Sequence, residues 1–318
     1  MNFSSFDYFI AVAEERSFTR AAERLSVTQQ TLSAHIANLE RELGARLIDR
    51  HAPLSLTYAG EEFLAYARRF QAQRRAMEQE FRDISGDQRG LLRVGVASTR
   101  GHIIMPDAIA GFQAEHPQVT VSLYEEENQD LVQLLREGQL EMVVATVEQD
   151  EPGLVVRKLY DETVVLLCRQ DLLERYYGDG VEAAVKQAAR YGGLKALERL
   201  PFLLVGERDV PGSVARDAFV REGIDPDIRA YSKNAETLAA LAELGVGACF
   251  CGSQLAARTF PDPEAVGMRI IDLGEGAALP VSVAWRDSAH VWSMIAEFDR
   301  ALRQSMAGVS DVPAPRHA

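Results

Sequence analysis

The sequence predicts two architectures in one chain: an N-terminal all-α winged helix-turn-helix prolonged by a long linker helix, and a C-terminal α/β domain. Three observations predict it. Apolar residues in the first 60 positions recur at helical spacing, and two of those helices are separated by only a short break. The stretch after residue 58 carries apolar residues seven apart. Beyond Gly90, short β-like runs alternate with helical ones, the pattern of helices packed on a sheet.

Phe6, Phe9, Ile10 and Ala13 stand at i, i+3, i+4 and i+7, the stripe of a helix that faces a core. Ser17 sits where an N-cap belongs and opens a second helical face over 18–25. After the Ser26-Val27 break, Thr28 can cap a third helix that buries Leu32, Ile36, Leu39 and Leu43 and stops at Gly44. Two helices so tightly joined form a helix-turn-helix. Arg50-His51-Ala52-Pro53-Leu54-Ser55-Leu56-Thr57 then combines a Pro turn with alternating apolar residues, which predicts a small β-wing.

From Tyr58 to about Asp87 no Pro interrupts a single long helix. Phe63, Phe70, Met77 and Ile84 recur every seven residues, with Ala67 and Phe81 four after two of them. That spacing predicts a seam that pairs with a second copy of the helix; the alternative is a helix lying on its own domain, and Arg74 occupies one seam slot. Ser85 to Gly90 is small, polar and Gly-bounded, a linker.

Beyond it, β-like runs are expected at 91–96, 119–124 and 141–145, with helices over 102–115 and 129–137. A second set lies at 163–168, 201–205, 228–231 and 247–251, followed by strands at 268–273 and 281–285 and a helix at 291–306. Such alternation predicts mostly parallel sheets. Residues 171–200 form a helical insertion without a motif, and 307–318 a loose tail.

With 318 residues, 47% hydrophobic and 25% charged, the chain suits two or three folding units of an ordinary soluble protein. No apolar run approaches the ~20 residues needed to span a bilayer, and the acidic start does not resemble a secretory signal, so a cytoplasmic location is expected. The net charge of −13 is unevenly placed: residues 1–90 hold 12 Arg against 13 acids, so nearly all the excess acid lies beyond them. Net charge therefore does not exclude DNA. Cys168, Cys249 and Cys251 are too few for a disulfide framework, and Cys249 and Cys251, read as facing opposite sides of one strand, are expected to act as small buried hydrophobes. No GxGxxG, P-loop, GxSxG or metal-spaced His/Cys cluster is present, so the sequence predicts neither an enzyme nor a cofactor or metal. A solute-binding transport protein would lack the helix-turn-helix.

The segments 6–15 and 17–25, Leu39-Glu40-Arg41-Glu42-Leu43-Gly44-Ala45-Arg46-Leu47-Ile48-Asp49-Arg50 and Leu56-Thr57-Tyr58-Ala59-Gly60 resemble, in order, the opening of LysR-type transcriptional regulators. Weaker similarity continues through Val94-Gly95-Val96, Met105-Pro106, Arg136-Glu137-Gly138 and Gly245-Val246-Gly247. Two departures are Gln30 and Ala34, where the family often carries Pro and Arg, and a wing that offers only Arg50 and His51, where the family's is commonly more basic. The resemblance implies a DNA-binding domain over 1–60, a dimerising linker helix and hinge over 61–90, and a two-lobed, periplasmic-binding-protein-like effector domain over 91–306. Lobe I would be 91–162 plus 269–306, and lobe II 163–268. It also implies a dimer that assembles into a tetramer and a small-molecule effector between the lobes.

In a helix-turn-helix the leading residues of the second helix enter the major groove. Here they are Thr28, Gln29, Gln30, Thr31, Ser33, Ala34 and His35. Gln can pair with adenine N6 and N7 and a Thr methyl can touch the thymine methyl, while Arg20, Arg50 and His51 suit phosphates; on an isolated helix the same polar residues would be a solvated face. Phe63, Phe70, Met77 and Ile84 are the expected dimer contacts. Ligands of open α/β sheets sit at strand carboxyl ends. That rule nominates Ser98, Thr99 and Arg100, whose hydroxyls, N–H groups and guanidinium would suit a carboxylate or other anion, with Asn128 and Thr146 beside them. Alternatively, Ser98 and Thr99 merely cap a helix, and Arg100 faces solvent or pairs with Glu125-Glu126-Glu127, a run that would repel an anion. The resemblance adds Val205, Gly206, Asn234 and Phe250 from the second lobe.

Overall fold

The computed structural model describes residues 3–51, 53–86, 89–190, 192–206, 209–274 and 278–309. The first three helices are α1 (Phe3–Glu15), α2 (Phe18–Arg24) and α3 (Gln29–Leu43). Their ends follow local chemistry. Ser17 Oγ accepts the Arg20 N–H at 3.4 Å and Thr28 Oγ1 accepts the Thr31 N–H at 3.1 Å, each satisfying an orphan donor of a first turn. Gly44, at φ 65°, closes α3 in the left-handed region. The wing is a pair of two-residue antiparallel strands, β1 (Ile48–Asp49) and β2 (Ser55–Leu56). Glu40 ties it to α3 by accepting the N–H groups of Leu47 and Ile48 at 2.9 and 3.2 Å.

The long helix α4 (Tyr58–Ser85) begins as part of this domain. Phe63 and Ala67 are buried in one core with Phe6, Phe9, Leu32, Ile36, Leu39 and Leu47. Phe63 lies 5.7 Å from Phe6 and 4.9 Å from Phe9, ring centre to ring centre. The expectation that Phe63 belongs to the dimer seam is thereby corrected: α1 already covers it. Phe70 stacks on Phe6 at 5.0 Å yet stays partly open, and Met77, Phe81 and Ile84 are exposed. Arg74, the odd seam residue, reaches Asp7 of α1 at 3.1 Å.

The α/β domain runs β3 (Gly90–Ala97), α5 (Ser98–Glu115), β4 (Val119–Glu126), α6 (Asn128–Arg136), β5 (Met142–Ala145), β6 (Leu154–Arg169), α7 (Gln170–Tyr177), α8 (Val181–Ala188) and β7 (Pro201–Val205). It continues through α9 (Val210–Glu222), β8 (Asp227–Ser232), α10 (Ala235–Glu243), β9 (Ala248–Gly252), α11 (Ser253–Thr259), β10 (Met268–Asp272), β11 (Ala278–Arg286) and α12 (Ser293–Val309). The strands lie in the order β4-β3-β5-β11-β6-β9-β7-β8, with β10 also on β6.

Three expectations change. The sheets are mixed, because β5–β11, β6–β11, β6–β9 and β6–β10 are antiparallel. The crossing between lobes is a single 16-residue strand: 154–163 of β6 pair with β11, and the rest with β9 and β10. A strand that passes straight from one lobe to the next needs no helical return, so its neighbours run against it. The return crossing falls after Asp272 and not at 269, since β10 pairs with the second-lobe part of β6. Finally, α5 starts at Ser98 and not at His102, so Ser98, Thr99 and Arg100 form its first turn.

One core runs through both lobes beneath α5, α10, α11 and α12, while α6 covers the opposite face of the first lobe and α7 to α9 that of the second. Cys249 and Cys251 share the continuous core and Phe250 faces the other one, which corrects the opposite-face reading: residues two apart on a strand share a face. All three cysteines are buried and free, and burial pushes the Cys168 thiol up to about 12. Helix α12 continues to Val309, past the position 307 expected to open the tail; residues 310–318 lie outside the described residues.

Candidate functional site

The leading end of α3 is an outward polar surface. Gln29, Gln30, Thr31 and Ala34 are exposed, Ser33 and His35 half-buried. Thr28 is fully engaged, accepting the Thr31 N–H and meeting the Thr31 hydroxyl at 2.8 Å. It therefore shapes the helix start. His35 differs from the sequence expectation: its ring stands edge-on to Tyr8 at 4.9 Å, so it braces α3 against α1. The short turn before Thr28 is made by Ser26 at φ 54°, a left-handed conformation that non-glycine residues adopt reluctantly.

The expected phosphate contacts flank this end. Arg20 is 65% exposed and bonds Glu15 through its backbone carbonyl, with the Glu15 carboxylate at 3.6 Å. Arg50 lies 3.5 Å from Glu40 and 5.4 Å above the Phe18 ring; His51 is almost wholly exposed. Neither basic group is buried, so each can swing toward a phosphate at small cost.

The second site lies between the lobes, a cleft of about 570 Å³ lined by the ends of β3, β4 and β7 and by the starts of α6, α9 and α10. Beneath that lining, as a floor, lies a buried ion pair that the sequence did not disclose. Arg100, 2% exposed, donates through Nε to Glu162 Oε2 at 2.6 Å. Its other nitrogens reach Thr146 Oγ1 at 3.3 Å and Asn128 Oδ1 at 3.5 Å, and Asn128 Oδ1 also accepts the Thr146 N–H at 2.9 Å. The structure thus joins Arg100, Asn128 and Thr146 as expected, but Arg100 neither faces solvent nor pairs with the acidic run. The sequence pattern places a strand start at 163 and so leaves Glu162 outside it, whereas β6 carries Glu162 in mid-strand, where a lone buried acid requires a cation.

Four helix N-termini meet here, and the protein supplies an acceptor or acid to each. Glu125 lies against α5 so closely that a Cβ on Gly101 would collide with its carboxylate. Glu127 precedes α6 and Asp209 precedes α9. Asn234, expected as an effector contact, instead caps α10 by accepting the N–H groups of Glu236 and Thr237 at 2.9 and 3.2 Å. Burial, with Glu162 and Glu127 nearby, pushes the Asp209 carboxyl up to about 6 against the opposing pull of Arg100. Burial and Glu162 also push the Tyr160 phenol up. Lys233 stands 3.9 Å from Glu127 across the cleft. Val205 and Gly206 line it, as expected, but Phe250 does not: it is buried between Phe202 and Phe219 in the second lobe's own core. The side chains of Ser98 and Thr99 lie outside the described residues.

A compact head with an exposed recognition-type helix, joined by a long helix to a two-lobed domain with a cleft between its lobes, has the architecture of a regulator that couples DNA to a small ligand. Two family models divide the chain in this way. The bacterial regulatory helix-turn-helix protein, lysR family, matches residues 3–61, and the LysR substrate binding domain matches 85–307. The chain belongs to the LysR family of transcriptional regulators, and so is not an enzyme.

Among its relatives, the probable hydrogen peroxide-inducible genes activator of Mycobacterium xenopi is 35% identical over 50% of this chain and 84% of that protein. The HTH-type transcriptional regulator ClcR of Pseudomonas putida is 28% identical over 90% of this chain and 93% of its own. The chain spans about half the length of other relatives it matches, such as the probable RuBisCO transcriptional regulator of Trieres chinensis, 34% identical over 49% of this chain and 52% of that protein. In fold it is similar to CbnR, a LysR family transcriptional regulator, with a TM-score of 0.66 and 24% identity over 96% of this chain and 99% of that one. No helix among the described residues is long and apolar enough to cross a membrane.

Proposed function

We propose that the chain binds operator DNA through the leading end of α3 and that a small effector held between its lobes controls this binding from the cytoplasm. The observation that carries the reading is the exposed first turn of α3: Gln29, Gln30 and Ala34 are open to base edges and Thr31, its hydroxyl held by Thr28, offers its methyl, while Thr28 and His35 hold the helix in place. Ser33 borders the same surface. Arg20, Arg50 and His51 set register on the phosphates.

Two copies pair along the exposed half of α4 through Phe70, Met77, Phe81 and Ile84, and pairs assemble into a tetramer as the family resemblance implies. A ligand that favours one lobe arrangement then shifts the spacing of the recognition helices. A structural route supports this coupling. The N-terminal residue of α6, Asn128, lies in the cleft; beyond its C-terminus, Glu137 meets Arg68 of α4 at 3.3 Å, and Gly138 packs against Ala72 with no room for a side chain. Footprinting of the region upstream of the neighbouring gene, with the full-length protein, tests the proposal. Protection of a defined site over random duplex across a range of salt supports it; equal binding to both overturns it.

A further inference from the structure

The cleft between the lobes carries more acid than base. Its lining holds five carboxylates, Glu125, Glu126, Glu127, Asp130 and Asp209, and one ammonium, Lys233. The guanidinium that would have received an anion, Arg100, is consumed by Glu162. Each of the four helix N-termini contributes about half a positive charge, which offsets part of the acid and still leaves the cleft about two charges negative. An anion brought to these helix ends would meet an acid or acceptor already there: Glu125 lies against α5, Glu127 and Asp209 stand immediately before α6 and α9, and Asn234 accepts the first-turn N–H groups of α10.

A metal ion is the wrong shape for this charge. Among the described residues the one group of three His, Cys, Asp or Glu ligands close enough to hold an ion is Glu115, His116 and Glu297, none of which lines the cleft. The cleft's carboxylates are instead spread over both lobes: Glu125, Glu126, Glu127 and Asp130 on the first, Asp209 on the second. Spread charge suits a molecule with separated donors, and the volume is that of an ordinary small-ligand pocket.

We infer that the effector is a small organic cation, bearing an amine or guanidinium group that bridges Glu127 of the first lobe and Asp209 of the second. Bound there, it displaces Lys233 from Glu127 and draws the lobes together through charge-assisted hydrogen bonds. The inference rests on the reading of the cleft as the effector site.

The test uses the full-length protein and length-matched probes of opposite charge: 1,4-diaminobutane and 4-aminobutylguanidine against succinate, by calorimetry and thermal shift. The expected result is saturable binding of at least one cationic probe and none of succinate. Asp209→Asn and Glu127→Gln each weaken the cation about tenfold, whereas Glu264→Gln, an exposed acid outside the cleft, leaves it unchanged. Cation binding that ignores the two cleft variants is general attraction to an acidic protein and overturns the inference. Saturable binding of succinate with no cation bound overturns the charge assignment and leaves the effector cleft standing. Silence from every probe, with operator binding intact, overturns both.

Discussion

The leading end of α3 and the interlobe cleft both collect polar residues at helix N-termini, yet they are built on opposite terms. At α3 the polar side chains are uncharged and exposed, and the protein spends only Thr28 and His35 on holding them. In the cleft they are charged and partly buried, and the deepest are answered from within: Arg100 by Glu162 and the start of α10 by Asn234, with Glu125, Glu127 and Asp209 set beside the other helix ends. A surface that reads DNA must leave hydrogen-bonding capacity unused, since the bases complete it. A cleft that must stay folded without ligand cannot leave charge unanswered in its floor. The difference lies in what each surface offers a partner: uncharged side chains outside the fold at α3, and an excess of acid over base lining the cleft.

The largest expected effect breaks the internal answer of the cleft. Replacing Glu162 with Ala leaves the Arg100 charge buried and unpaired, which costs about 3–5 kcal/mol. Denaturant unfolding of the full-length chain checks it, and a second replacement of Arg100 by Met should recover most of the loss. If Glu162→Ala unfolds like the parent, the floor does not depend on this pair.

The next effect sharpens the account of the rim. The Asp209 carboxyl is raised in the folded protein to about 6, from an ordinary value near 3.8. The folded state therefore holds its proton more tightly than the unfolded chain does. That favours folding fully below the unfolded value, and the advantage is lost as pH rises through 6. The groups facing Asp209 are Arg100 from α5, Glu162 from β6 and Glu127 before α6. Asp209→Asn, which cannot ionise, should gain stability relative to the parent between pH 4 and 7, by about 3 kcal/mol at neutrality. Parallel stability curves for the two proteins over that range would place Asp209 in water.

At α3 the expected changes are in binding and not in folding. Gln29→Ala should weaken operator binding by about 1–2 kcal/mol at fixed salt while the unfolding midpoint stays put, because Gln29 is exposed. Unaltered affinity for the native operator removes Gln29 from the reading surface.

These two regions also differ in how far they could be read before the fold was known. The recognition helix was legible almost to the residue, because caps, helical period and the short turn are local: Ser17 and Thr28 bond three residues ahead. His35 was the exception, since its Tyr8 partner lies on another helix. In the cleft, Asn128 and Thr146 followed from the rule that ligands gather at strand ends, but Glu162 meets Arg100 across 62 residues and no local pattern announces it. The seam of α4 was half legible for the same reason: the heptad spacing is real, but Phe63 is claimed by α1 from far along the chain.

The smallest expected effect separates the two kinds of contact within the DNA-binding head itself. Arg50 is half exposed, leans on Phe18 and lies 3.5 Å from Glu40, so neither partner immobilises it and it has no fixed line to a base edge. A side chain of that sort lends charge and not sequence preference. Arg50→Ala should therefore weaken binding to operator and to random duplex by the same factor, and lower the slope of log affinity against log salt by about 1. A loss confined to the operator would instead make Arg50 a base reader, and the wing would then join α3 as a reading surface.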